Sequence, residues 1–125
     1  MPKKILIIDD FKDYAGLLEK RLRSEGFQTI VLNESVSALG KVISEKPDLI
    51  LLDIMMPGLA GPEVRAQLLN DPAAKNIPVI FLTGLRAPHS AKKPVIDEVR
   101  VVGKSKDFNE LLEVIREVLG KTPKN

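Results

Sequence analysis

Short apolar runs alternate along this chain with longer stretches in which apolar residues recur at helical spacing. Ile5-Leu6-Ile7-Ile8, Leu49-Ile50-Leu51-Leu52 and Val79-Ile80-Phe81-Leu82 are unbroken, with no polar residue at alternate positions. Strands buried on both faces read this way, because neither face meets water. Five rounds of strand followed by helix fill the chain, so the pattern predicts β-α units around a parallel sheet, an α/β fold.

Local signals set the expected boundaries. The first helix should run from Lys12 to Ser24, with Leu17, Leu18 and Leu22 on its inner stripe and Gly26 ending it. Gln28 to Leu32 follows as a strand. Ser35 is a candidate N-cap for a helix carrying Val36, Leu39, Val42 and Ile43, which stops before Pro47 because a residue preceding proline avoids helical angles. Asp48 to Leu52 is the third strand, and Pro62 opens a helix through Val64, Leu68 and Leu69 that breaks at Asn70-Asp71-Pro72. Ile77 to Leu82 and Val99 to Gly103 are the last two strands. The final helix spans Lys106 to Leu119, turns Phe108, Leu111, Leu112, Ile115 and Val118 inward, and closes at Gly120. Between those strands, Leu85 to Glu98 is where a further helix belongs. Pro88 and Pro94 would each cost about 3 kcal/mol in a helix interior, so a short or irregular helix with raised mobility is expected there.

Chemistry gathers where the apolar runs end. Asp9-Asp10 follow the first, Asp53 the third, Thr83 the fourth and Lys104 the fifth. In an open parallel sheet ligands bind outside the carboxyl ends of the strands, so these groups should meet at one edge. Three carboxylates suit a hard cation such as Mg²⁺, which prefers oxygen ligands and keeps several waters. With Lys104 and Thr83 alongside, the charge of a phosphoryl group passing to Asp53 could be stabilised there, which makes Asp53 a candidate covalent nucleophile.

Composition narrows the function classes. At 125 residues the chain suits one domain, expected over residues 1–121 with a polar tail at 122–125. It is 44% hydrophobic and 29% charged, with no apolar stretch near the roughly 20 residues of a membrane span. Met1-Pro2-Lys3-Lys4 leads into only four apolar residues before two acids, unlike a signal peptide. The absence of cysteine excludes disulfides and thiolate chemistry, and a cytoplasmic location is expected. A net charge of +2 with scattered lysines gives no footprint for nucleic acid.

The acid pair Asp9-Asp10, Asp53 within Asp-Ile-Met-Met-Pro-Gly, Thr83 and Lys104 match in type and order those of a response-regulator receiver domain of two-component signalling, which the chain resembles over essentially its whole length. The resemblance implies a doubly wound, flavodoxin-like three-layer sandwich: five parallel strands in the order 2-1-3-4-5 with five helices. It implies that Asp53 accepts a phosphoryl group, that Asp10 binds Mg²⁺ directly and Asp9 through water, and that the Met55 carbonyl completes the protein ligands with Asp53. Lys104 would pair with the phosphoryl group and Thr83 would turn toward it. The implied donor is a phosphohistidine on a histidine kinase or phosphotransfer protein.

Three positions depart from that family. Ser105 follows Lys104 where proline, often after a cis bond, is usual; a non-proline cis bond costs about 2.5–4 kcal/mol, so a trans bond is expected. Val101 stands where many members carry a Tyr or Phe that swings inward, and valine has no ring to relocate. The proline-interrupted 85–98 stretch lies on a face the family commonly uses for partners.

Singly, these residues have plainer readings. A lone strand-end aspartate is more often a helix cap or a solvated loop residue, and Lys104 or Thr83 alone would pass for surface and backbone-satisfying groups. Met55-Met56 could be core filler, with only the Met55 carbonyl proposed to act. His89 reads as a solvated loop residue and Lys92-Lys93 as a solvated charge run. Gly103-Lys104-Ser105 resembles the end of a P-loop, but Glu98 stands where that motif needs glycine. A phosphatase with an aspartate nucleophile commonly places a general acid two residues on, where Met55 stands, and a flavin site would need glycine, hydroxyl or basic groups where acids follow the first strand. The expected function is a stand-alone, phosphoryl-accepting receiver that turns over no free substrate. It would act on a partner protein as a monomer or weak dimer. The alternative is a receiver-like interaction module that works without phosphorylation.

Overall fold

The computed structural model describes residues 2–84, 95–96, 99–104 and 107–121. Its elements are β1 (Lys4–Ile8), α1 (Lys12–Ser24), β2 (Gln28–Leu32), α2 (Ala38–Glu45), β3 (Leu49–Asp53), α3 (Gly61–Leu69), β4 (Val79–Thr83), β5 (Val95–Ile96), β6 (Val99–Gly103) and α4 (Phe108–Lys121). Five strands are parallel in the spatial order β2-β1-β3-β4-β6, the expected 2-1-3-4-5 topology once strands are counted along the parallel sheet. The two-residue β5 adds an antiparallel edge, Val95 opposite Arg100 and Ile96 opposite Val99. It lies inside the stretch where a helix was expected; Pro88, Pro94, His89 and Lys92-Lys93 fall outside the described residues.

The unbroken apolar runs are explained by alternation across two buried faces. Ile5, Ile7, Leu49, Leu51, Ile80, Leu82 and Val102 pack one way against Leu18 and Leu22 of α1 and Leu111 and Ile115 of α4. Leu6, Ile8, Ile50, Leu52, Phe81, Val99 and Val101 pack the other way against Val42 of α2 and Val64 and Leu68 of α3. The result is the three-layer sandwich. Phe81 is fully buried at its centre, where truncation to Ala would cost about 3–5 kcal/mol.

Helix ends follow their local chemistry, with three corrections. α1 stops as expected: Gly26 takes φ +94°, and the Gly26 and Phe27 N–H groups reach the Arg23 and Leu22 carbonyls at 3.0 and 3.1 Å. Its inner stripe is Ala15, Leu18 and Leu22, while Leu17 is half exposed. α2 begins at Ala38 rather than after Ser35, leaving Val36 and Ile43 exposed. It ends at Lys46, left-handed at φ +48° before Pro47. α4 begins and ends later than expected and runs through Gly120 to Lys121. Pro62 does sit in the first turn of α3, where Glu63 accepts the Ala60 N–H at 3.0 Å.

Candidate functional site

The sheet register builds the site. Ile8 pairs with Leu52, Asp53 with Leu82 and Thr83 with Gly103, so Asp9, Asp53, Thr83 and Lys104 step along one carboxyl-terminal edge. The crevice between β1 and β3 is where strand order reverses, the place where α/β sheets bind ligands. Asp9, the first residue past β1, is wholly buried, whereas Asp10 is exposed.

Asp9 is held from four sides. Its N–H donates to the Leu32 carbonyl at 3.0 Å, its carbonyl accepts Asn33 Nδ2 at 3.0 Å, and its Oδ1 accepts the Phe11 N–H at 2.9 Å. Oδ2 receives no directed hydrogen bond; its neighbour is the Lys104 ammonium, at 2.8 Å. Asp53 is 4% exposed, with Oδ2 3.4 Å from Lys104 Nζ and Oδ1 accepting the Met55 N–H at a long 3.4 Å. Thr83 is buried beside them, and its carbonyl accepts the Lys104 N–H at 2.7 Å. The register and these bonds bring Asp9, Asp53, Thr83 and Lys104 together. Met55 stands two residues beyond Asp53 with its side chain exposed.

One carboxylate oxygen each from Asp9, Asp10 and Asp53 lie within 4.8 Å of one another. Among the described residues, the Lys104 ammonium pairs with Asp9 and Asp53, and Asp10 adds a third acid to the cluster. Burial first, then the Asp9 charge, pushes the Asp53 carboxyl from 3.8 up to about 6; Lys104 and the Met55 N–H only partly offset this. An excess of hard oxygen donors, one of them buried without a directed hydrogen bond, fits a divalent cation such as Mg²⁺.

Three further residues, Ser35, Gly61 and Tyr14, support the site. Ser35, expected as an N-cap, is instead fully buried: its hydroxyl donates to the Pro57 carbonyl at 3.0 Å and accepts the Leu59 N–H at 2.9 Å. It pins the loop that follows Asp53. Gly61 packs so tightly that a Cβ there would stand 2.5 Å from the Asp53 carbonyl oxygen. Tyr14, unremarked in the sequence, has its ring centre 5.0 Å from Lys104 Nζ. Its signal was position: it lies in the helix that opens directly after the acid pair.

Residues 5–116 match the family model of the response regulator receiver domain. The chain belongs to that family. Among its relatives, response regulator PleD of Caulobacter vibrioides is 38% identical over 85 residues, 68% of this chain and 19% of PleD. DNA-binding response regulator MtrA of Mycobacterium tuberculosis is 40% identical over 83 residues, 66% of this chain and 35% of MtrA. The match therefore spans about a fifth to about a third of the length of these relatives. A putative response regulator from Chloroflexus aurantiacus has a TM-score of 0.84 at 25% identity, covering 97% of this chain and 100% of that one. Response regulator protein TrrA from Thermotoga maritima, solved in complex with Mg²⁺-BeF, has a TM-score of 0.76 at 31% identity, covering 93% of this chain and 98% of TrrA.

As a receiver, the chain keeps the acidic pocket typical of a phosphorylation site. Val101, the valine in the place of the usual aromatic, is buried with Phe81 and Val99 on the α2 and α3 side. The Lys104-Ser105 bond, expected trans, lies outside the described residues. No helix among the described residues is long and apolar enough to cross a membrane.

Proposed function

We propose that this receiver takes a phosphoryl group from a phosphohistidine onto Asp53 and thereby changes its affinity for a partner protein. The observation that carries the reading is the buried Asp53 carboxylate, 3.4 Å from Lys104 Nζ and clustered with Asp9 and Asp10. Asp10, Asp53 and the Met55 carbonyl would hold Mg²⁺ directly, and Asp9 through water; TrrA's complex with Mg²⁺-BeF supports that choice. When bound, the cation neutralises the acid excess and holds phosphoryl oxygens beside Asp53.

The chain's own groups do the rest. An Asp53 oxygen attacks phosphorus as the P–N bond of the donor breaks, the imidazole leaves with the bonding pair, and an acyl phosphate forms. Lys104, now on Asp9, turns to the phosphoryl oxygens and stabilises their charge, and Thr83 turns toward them. The added charge and acceptors bias a two-state equilibrium in the segments after β4 and β6. Met55 offers no proton donor two residues beyond Asp53, which supports a receiver that turns over no free substrate. The donor would be a histidine kinase or phosphotransfer protein, with exposed Phe11 and Met55 giving it apolar surface beside the acids. The receiver would work in the cytoplasm without nucleic acid or membrane, as a monomer or weak dimer.

Incubation with acetyl phosphate and Mg²⁺, followed by intact mass measurement, tests this. One phosphate gained with Mg²⁺ and none in chelator is the expected result. An unchanged mass in both would instead favour an interaction module that works without phosphorylation.

A further inference from the structure

Lys104 touches more than acids. Its ammonium stands 5.0 Å from the centre of the Tyr14 ring, within the range at which the negative face of an aromatic ring attracts a cation. Tyr14 is half-buried at the start of α1 and packs against the core cluster shared with α4. A groove of about 280 Å³ runs between α1 and α4, lined by Tyr14, Leu17, Lys104 and Phe108 among others. Arg21 and Phe108, which also line it, form a second cation–ring pair at 5.4 Å.

A lysine is a strongly hydrated point charge on a flexible four-carbon stem, so water on its open side competes for it. Here Asp9 and Asp53 hold the ammonium unequally, at 2.8 and 3.4 Å. A purely aliphatic wall on the groove side would exclude water but offer the charge nothing in return. An aromatic face excludes water and still attracts the cation. Attraction to a ring face is broad, so the ammonium can shift from Asp9 toward a phosphoryl oxygen without leaving the ring. The phenol also stays neutral, since burial and then the Asp9 and Asp53 charges push it up to about 12, so the ring never becomes a rival anion.

We propose that Tyr14 is a positioning residue for phosphoryl transfer: its ring closes the groove side of the Lys104 seat and keeps the ammonium beside the Asp53 carboxylate. The inference rests on Asp53 as acceptor and adds a residue that acts only through Lys104.

Rates of phosphorylation by acetyl phosphate with Mg²⁺, followed by intact mass, test it in Tyr14→Leu, Tyr14→Phe and both changes combined with Lys104→Met. Tyr14→Leu should slow the reaction by about three- to tenfold, and Tyr14→Phe, which keeps the ring, should restore the rate. With Lys104→Met already present, Tyr14→Leu should add no further slowing. In nuclear magnetic resonance spectra the Lys104 ε-methylene protons should lie upfield in the wild type and in Tyr14→Phe but not in Tyr14→Leu, because only a ring face over the lysine shields them. An unshifted methylene in the wild type overturns the proposal even if Tyr14→Leu does not fold. So does an unslowed Tyr14→Leu, a Tyr14→Phe as slow as Tyr14→Leu, or full slowing in the Lys104→Met background. A wild type that takes up no phosphate overturns both this and the Asp53 reading, whereas a phosphorylated wild type with a fast Tyr14→Leu overturns this one alone.

Discussion

At the amino-terminal end of the sheet, each charge has an opposite partner: Lys4 Nζ lies 3.6 Å and Lys41 Nζ 3.7 Å from Glu45, and Arg100 Nη1 lies 3.0 Å from Glu117. At the carboxyl-terminal end, Asp9, Asp10 and Asp53 cluster, and among the described residues Lys104 is the cation paired with them, through Asp9 and Asp53. The first set is partly exposed, and each such pair contributes about 0–1 kcal/mol. The second set lies deeper and is unbalanced, which costs stability unless a cation joins it. One sheet thus shows where a fold is merely tidied and where it gives up stability for chemistry.

The largest effect should come from Lys104→Met, which removes the ammonium paired with Asp9 and Asp53 at the unbalanced end. Phosphorylation of Asp53 should slow by about a hundredfold, the scale of losing a charge-stabilising donor. Mg²⁺ binding should tighten, because a competing positive charge is gone. Calorimetric titration and mass time courses check both, and an unchanged rate would show that the acids act without the lysine.

Gly61→Ala tests how rigidly that end is built. The new Cβ would meet the Asp53 carbonyl oxygen at 2.5 Å and Ile54 Cα at 3.0 Å, both backbone, so β3 or α3 must move. A loss of about 1–3 kcal/mol in denaturant unfolding is expected. Wild-type stability would mean the junction is looser than its geometry implies.

Asp53→Asn sharpens the comparison through pH. The folded carboxyl is raised to about 6 from 3.8, so the folded state favours the protonated form. The stability it adds is full below about pH 4 and is lost as pH rises through about 6, a change of at most about 3 kcal/mol. Without Mg²⁺ the Asn variant should therefore be the more stable chain at pH 7.5, by about 1–3 kcal/mol, with the difference closing toward pH 4. Adding Mg²⁺ should shrink it. A variant less stable than wild type at pH 7.5 would mean that Lys104 fully offsets the acid excess.

Arg100→Ala probes the matched end and should do least. Arg100 Nε finds no hydrogen-bond acceptor, and the pair with Glu117 is partly exposed. A loss under about 1 kcal/mol, with phosphorylation unchanged, is expected. A slowed reaction would show the two ends to be coupled.

Much of this was legible in the chain because period and punctuation agree. The bounds of α1 and β2 follow from a helical stripe ended by Gly26 and a short strand run. The acids, Thr83 and Lys104 converge because a parallel sheet gathers strand ends at one edge. Ser35 is the expected N-cap of α2, yet Ser37 takes that position, without a side-chain cap hydrogen bond, while Ser35 is held by Pro57 and Leu59, more than twenty residues away. No local signal carries that distance. Leu17 fits the helical stripe yet faces the groove, because α4 leaves that side of α1 partly open. Tyr14 carries no local signal of its role, because Lys104, which is brought over its ring, lies ninety residues later.

Borohydride reduction after treatment with acetyl phosphate and Mg²⁺ tests the acceptor assignment most directly, since it converts an aspartyl phosphate to homoserine that peptide mass mapping can locate. Conversion at Asp53, absent without Mg²⁺, is the expected result. Phosphate retained by Asp53→Asn, or homoserine found at Asp9 or Asp10, would contradict it.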